Sequence, residues 1–255
     1  MSILYRFKLF AAAASTTYLA RSDESYKRET LPTELSTNVV MLTCESAAHG
    51  GVCDVYLVGT KHGYPESCRQ VRDVIQFLKP HVVFLELCAR RSGILTPVKN
   101  NGRISEFHVA YQEAMKYGAN VILGDRPIEI TLGRVPVMAT LGEMVSCLIL
   151  RPLDTHATFL DIEKEELNDV DSVNRVILGL EKMVPSYVEI VVHERDRYMS
   201  TNLLKVASKH NSVVAVVGMG HLQGIQKNWK QPVDMEQLLQ ERGFAASVLR
   251  FINFR

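Results

Sequence analysis

Val213-Val214-Ala215-Val216-Val217-Gly218-Met219-Gly220-His221 is the stretch on which the fold turns. Its unbroken apolar run reads as a strand buried on both faces, the habit of a mostly parallel sheet. The glycine lets the backbone turn sharply, and His221 is delivered just past the carboxyl end of the strand. The same phrase stands far upstream as Val55-Tyr56-Leu57-Val58-Gly59-Thr60-Lys61-His62. In open α/β sheets ligands bind along that edge. Two imidazoles in matching frames therefore predict one shared site; the plainer alternative is a pair of hydrogen-bonded loop histidines.

Working outward, Asn38 to Cys44 reads as a strand, Ser46 to Gly51 as a hairpin-like turn, and Cys53 to Gly59 as the strand pairing back. Pro65 suits a first helical turn, and Val71, Val74, Ile75 and Leu78 keep the spacing of a buried helical face. His81 to Leu87 is the next strand, so a right-handed βαβ unit is expected. Residues 92–103 read as loop, Ile104 to Tyr117 as helix, and Ala119 to Gly124 as strand. Arg134 to Met183 is mainly helical, with a solvated acidic stretch from Asp161 to Asp171. Ser186 and Glu189 form a capping-box signature opening a helix through about His210. Strand Ser212 to Gly218 and a helix after His221 complete an α/β pattern, a mixed, largely parallel sheet with flanking helices. The expected division is a tail over 1–37, a domain over 38–235 and a C-terminal extension over 236–255.

At 255 residues, 47% apolar and 22% charged, the chain can bury one substantial core. A net charge of +1 supplies no field to draw in nucleic acid or an anionic membrane surface. Five scattered cysteines without a Cys-x-x-Cys pair read as reduced core thiols, not as a disulfide framework or zinc cage. No apolar run reaches transmembrane length. Met1 to Ser22 carries Arg6, Lys8 and Arg21 and no acid, which reads as an organelle presequence, as a weak secretory signal or as a plain tail.

Four apolar strands end in His62, Glu86, Asp125 and His221. Carboxylates recur beside cations: Glu86 with Arg90 and Arg91, Asp125 with Arg126, and Glu194 with Arg195. On the long helix Glu194 shares a face with Tyr187, Val191 and Tyr198, and Arg195 one with Val188, Val192 and Met199. Buried charges must meet partners, and the strand ends are the place available. The plainer readings are a Glu86–Arg91 ion pair, turn chemistry at Asp125-Arg126-Pro127, and a structural Glu194–Arg195 pair. Functionally, imidazole and carboxylate without thiolate favour Mn, Co, Fe or Zn, held by His62, Glu86 and His221 with positions left for water and substrate. An adjacent carboxylate would take the proton from metal-bound water, and Arg91, Arg126 or Arg195 would hold an oxyanion.

The words Val58-Gly59-Thr60-Lys61-His62, Val82 to Cys88, Gly124-Asp125-Arg126-Pro127, His193-Glu194-Arg195-Asp196 and Gly218 to Ile225 with Asn228-Trp229 resemble the TraB domain family, TraB/PrgY or pheromone-shutdown related. They span about residues 38–235, and the surrounding sequence looks similar to plant members. The resemblance implies a fold akin to the Tiki proteases, erythromycin esterase and the haem-binding ChaN proteins, with an active site of two Gly-x-x-His motifs and a glutamate. Carried over, these are His62, Glu86 and His221, supported by Arg91, Asp125, Arg126, Glu194 and Arg195. Lys61, the short segment after Arg91 and an end at Arg255 without a membrane anchor depart from the family pattern. The resemblance implies three candidate functions. One is a metal-dependent hydrolase acting on a peptide or small carbonyl substrate; the others are a non-catalytic organelle-membrane adaptor and a haem or tetrapyrrole binder. Mitochondrial or endoplasmic-reticulum association is implied as well.

Overall fold

The two strands that carry the repeated phrase lie side by side at the centre of one sheet. β1 (Val39–Glu45), β2 (Val52–Thr60), β3 (Val82–Leu85), β4 (Asn120–Leu123) and β5 (Ser212–Gly218) are ordered β1-β2-β5-β3-β4. β1 pairs with β2 antiparallel and every other neighbour is parallel. This is a computed structural model, and it describes residues 31–96, 105–138 and 169–240. The expected helix and acidic surface between Met138 and Asp169 lie mostly outside the described residues, as do the expected tail up to Thr30 and the residues beyond Gln240.

Every residue of β5 is buried, and β2 is buried from Cys53 onward. Alternation then sorts their side chains between two cores. Val58, Val83, Leu85, Val214 and Val216 pack with α1 (Pro65–Leu78) and α2 (Glu106–Tyr117). Val55, Leu57, Phe84, Val213, Ala215 and Val217 pack on the opposite side against Met199, Leu203, Leu222 and Ile225. The result is a three-layer α/β/α sandwich, in agreement with the predicted mixed sheet. Each fully buried Val or Leu contributes on the order of 1.5–3 kcal/mol, so the central strands give a firm base to the residues at their carboxyl ends.

β1 and β2 form the predicted hairpin, whose turn is made by Gly50 and Gly51 at φ of 98° and 72°, values that disfavour any side chain. α1 begins with Pro65 in its first turn. Ser105 caps α2 by accepting from the His108 N–H at 3.2 Å, so the helix opens two residues later than the sequence predicts. Residues Ala89–Leu95 make a 3-10 helix at the edge of the predicted loop. α3 (Ile128–Met138) and α4 (Val170–Met183) precede a long helix, α5, which comprises Pro185–Val188, a π-helical turn over Glu189–His193, and Glu194–Ala207. Ser186 does not cap α5. Val184 is the cap residue and Pro185 takes the first position, because proline needs no N–H partner there. α6 (Met219–Lys227) continues directly from β5, and α7 (Met235–Leu239) ends the described chain. No described helix is long and apolar enough to cross a membrane.

Candidate functional site

The parallel register aligns Thr60 with Gly218, so β2 and β5 end level with each other. His62 emerges two residues past β2, while His221 sits in the first turn of α6. Glu86 comes directly after β3, and its carboxylate lies between them. Glu86 Oε2 accepts the Gly218 N–H at 2.7 Å, and Oε1 stands 3.2 Å from His221 Nε2. A Cβ on Gly218 would lie 2.9 Å from His62 Nε2 and 3.4 Å from Glu86 Oε2. Glycine at that position is therefore what lets the His62 ring approach the strand end beside Glu86. The His62 side chain is 54% exposed, whereas Glu86 and His221 are buried. The site thus has one solvent-facing imidazole and a sealed interior.

Arg195 reaches the same point from α5. Its Nη2 pairs with Glu86 Oε1 and lies 2.9 Å from Asp125 Oδ2; its Nε donates to Asp125 Oδ1 at 3.0 Å. Arg91 Nη2 pairs with Asp125 and also donates to the backbone oxygen of Glu86 at 3.1 Å. The Glu86 carboxylate therefore pairs with Arg195 and not with Arg91, the partner that nearness in sequence suggests. Arg90 lies outside, 3.5 Å from the exposed Glu129.

Arg126 and Glu194 go elsewhere. Arg126 Nη1 donates to Glu194 Oε2 at 2.6 Å, its Nη2 to the Ile190 carbonyl at 2.9 Å, and its Nε to Thr131. Arg134 pairs with the other Glu194 oxygen and donates to the carbonyls of Gln237 and Gln240. This buried triad clasps α3, α5 and α7. Neither side chain bonds to His62, Glu86 or His221; Arg126 touches the site through its backbone N–H, which donates to Asp125 Oδ1 at 2.8 Å.

Two carboxylates that strand-end patterning does not flag complete the site. Glu106, the first residue of α2, pairs with His62 Nδ1 and accepts the Gly63 N–H at 3.2 Å. Asp196 Oδ1 lies 2.6 Å from His221 Nδ1. The π-helical turn just before Glu194 shifts the helix phase relative to the residues ahead of it; on the regular helix that follows, Glu194 reaches the triad, Arg195 the Glu86 and Asp125 carboxylates, and Asp196 His221. Periodicity over an unbroken α-helix carries no signal for such a shift.

The charges reinforce one another. Burial opposes ionisation of Glu86, but His221, Arg195 and His62 outweigh it and hold its carboxyl well below the usual range. Burial likewise disfavours a charged His221; the flanking Glu86 and Asp196 overcome it and raise the imidazole to about 10. Its Nε2 faces both Glu86 Oε1 at 3.2 Å and Arg195 Nη1 at 3.1 Å. Burial lowers His62, and the bond to Glu106 with the charge of Glu86 turns the net shift upward.

Donors suited to a borderline divalent ion are present in kind, as both imidazoles turn Nδ1 to a carboxylate and leave Nε2 on the Glu86 side. Among the described residues, however, no three His, Cys, Asp or Glu side chains form a ready-made metal cage. Arg195 already neutralises Glu86, so an added cation must compete with it.

An α/β sandwich with His, Glu and Arg gathered past its parallel strand ends defines the class. The model of the TraB/PrgY/gumN family matches residues 105–245. The chain belongs to that family. The match takes in Asp125, Arg195 and His221, while His62 and Glu86 lie upstream of it. An uncharacterized protein of Methanocaldococcus jannaschii is 27% identical over 243 residues, covering 79% of this chain and 61% of the relative. Human TraB domain-containing protein is 25% identical over 279 residues, covering 84% of this chain and 71% of its own length. The cattle protein of that name is 25% identical over 251 residues, covering 72% and 65%. The chain thus spans about three fifths of the archaeal relative's length.

Proposed function

We propose that this TraB-family chain is a hydrolase acting on a peptide or small carbonyl substrate, with a divalent ion (Mn, Co, Fe or Zn) taken up by His62, Glu86 and His221. The supporting observation is the pair of carboxylate-backed imidazoles, His62 on Glu106 and His221 on Asp196, converging on Glu86. A bound ion would supply Lewis acidity and an acidified water. The protein's own groups supply the rest. Arg195 and Arg91 place guanidinium groups where an oxyanion can be held. Asp125 anchors both guanidinium groups, so that they are set before substrate arrives. Half-exposed His62 is the side of the site open to a ligand. Association with mitochondria or the endoplasmic reticulum belongs to the same proposal, to be checked by cell fractionation.

The test is metal binding by the purified full chain. Chelator-treated protein is titrated with Mn and followed by electron paramagnetic resonance, alongside His62→Ala and His221→Ala. One ion per chain in the parent and at least tenfold weaker binding in both variants supports the reading. Equal binding in all three proteins, or none in the parent, overturns it.

A further inference from the structure

Asp196 is 1% exposed, and its carboxylate meets His221 Nδ1 at 2.6 Å. Its other oxygen lies against α6. A Cβ on Gly224 would collide with Asp196 Oδ2 and Cγ, so the carboxylate occupies the space a side chain would fill. Gly224 lies one helical turn beyond His221 on α6. That turn thus carries both the imidazole and the notch that seats its carboxylate. A buried carboxylate costs several kcal/mol by itself, roughly, and simple packing would have put an apolar side chain there.

The other imidazole has the same arrangement, built from different elements. Glu106 is also 1% exposed, pairs with His62 Nδ1, and is fixed by the Gly63 N–H at 3.2 Å. Neither acid is hydrogen-bonded to Glu86, Arg195 or Asp125. Each acts through its histidine.

We infer that Asp196 and Glu106 are positioning residues: they hold a proton of His221 and His62 on Nδ1 and aim both Nε2 atoms at Glu86, with Gly224 the seat that keeps Asp196 in place. An imidazole's second nitrogen is set by the bond its first one makes. The inference concerns ring orientation and holds whether or not an ion binds, so it fails or survives separately from the hydrolase reading.

The test is nuclear magnetic resonance of the metal-free full chain, with ¹⁵N-labelled histidine, in the parent, Asp196→Asn, Asp196→Ala, Gly224→Ala and Glu106→Gln proteins. Gly179→Ala serves as control, since an added Cβ there meets nothing within 4 Å. The parent is expected to show a slowly exchanging, far-downfield Nδ1 proton for His221. Asp196→Asn keeps an oxygen acceptor but loses the charge, so the resonance moves upfield; in Asp196→Ala it is lost to exchange with water. Gly224→Ala is expected to shift it as well, although Asp196 is still there. Glu106→Gln is expected to move the His62 signal alone. A His221 resonance unchanged in both Asp196 variants overturns the inference, and so does an unchanged one in folded Gly224→Ala. Should Gly224→Ala fail to fold, the near-isosteric Asp196→Asn decides by itself.

Discussion

Arg195 grips Asp125 with two roughly parallel bonds, Nε to Oδ1 at 3.0 Å and Nη2 to Oδ2 at 2.9 Å, while the same Nη2 reaches Glu86. A planar fork of donors can hold two carboxylates in this way; an ammonium cannot. Arg195→Lys is therefore expected to lose about 1.5–3 kcal/mol of unfolding free energy. Urea denaturation checks this, and a loss below about 0.5 kcal/mol would show that the fork geometry contributes nothing.

Glu194 neutralises Arg126 and Arg134, which are 0% and 2% exposed. Glu194→Gln leaves two buried guanidinium groups facing each other without a countercharge. The expected cost is about 3–5 kcal/mol, seen as a lower melting temperature. Because the triad's side chains share no bond with the His62–Glu86–His221 group, the histidine resonances of the folded fraction are expected to stay where they are. Shifted resonances at unchanged stability would move Glu194 from the clasp to the site.

How far these roles are legible in the sequence depends on the type of residue. β2 and β5 declare themselves through apolar runs that only a doubly covered strand tolerates, and His62 and His221 through the Gly-x-x-His frame at their ends. Glu86 and Asp125 are legible because a charged residue ending such a strand sits at the ligand-binding edge. Glu106 and Asp196 are not, since they lie on helices where rules of spacing see only faces, and the π-helical turn breaks the phase those rules assume. Glu194 is buried as expected, but not through its apolar stripe: Tyr187 is 48% exposed and lies on the far side of the π-helical turn, and the partners Arg126 and Arg134 come from beside and within α3, which no local pattern links to α5. The capping signature at Ser186 loses to Pro185, one residue earlier.

Gly124 comes directly after β4 and lies so close to β3 that an added Cβ would overlap the ring of Phe84. Phe84 is wholly buried, so the ring has nowhere to retreat. Gly124→Ala is expected to destabilise by about 2–3 kcal/mol through overpacking. The double variant Gly124→Ala with Phe84→Leu is expected to be less destabilised than the sum of the two single changes. Strict additivity in thermal melts would contradict the contact.

Cys53 lies directly across from Cys44 in the β1–β2 ladder, and both thiols are buried. Burial, with smaller contributions from Cys44 and Asp54, pushes the Cys53 thiol up to about 12. Its folded-state value thus exceeds the unfolded one. Its contribution to stability is complete below the ordinary value of 9.0 and disappears as pH climbs from there towards about 12, because only the unfolded chain can ionise in that window. At pH 8 the folded protein carries roughly a thousandfold less Cys53 thiolate than an ordinary cysteine would. Alkylation by iodoacetamide at that pH, located by peptide mass spectrometry, is expected to reach Cys53 only at the rate of unfolding, and to accelerate with urea. Prompt labelling of Cys53 in the folded protein would mean that the hairpin opens locally and that the thiol is not sealed in the core.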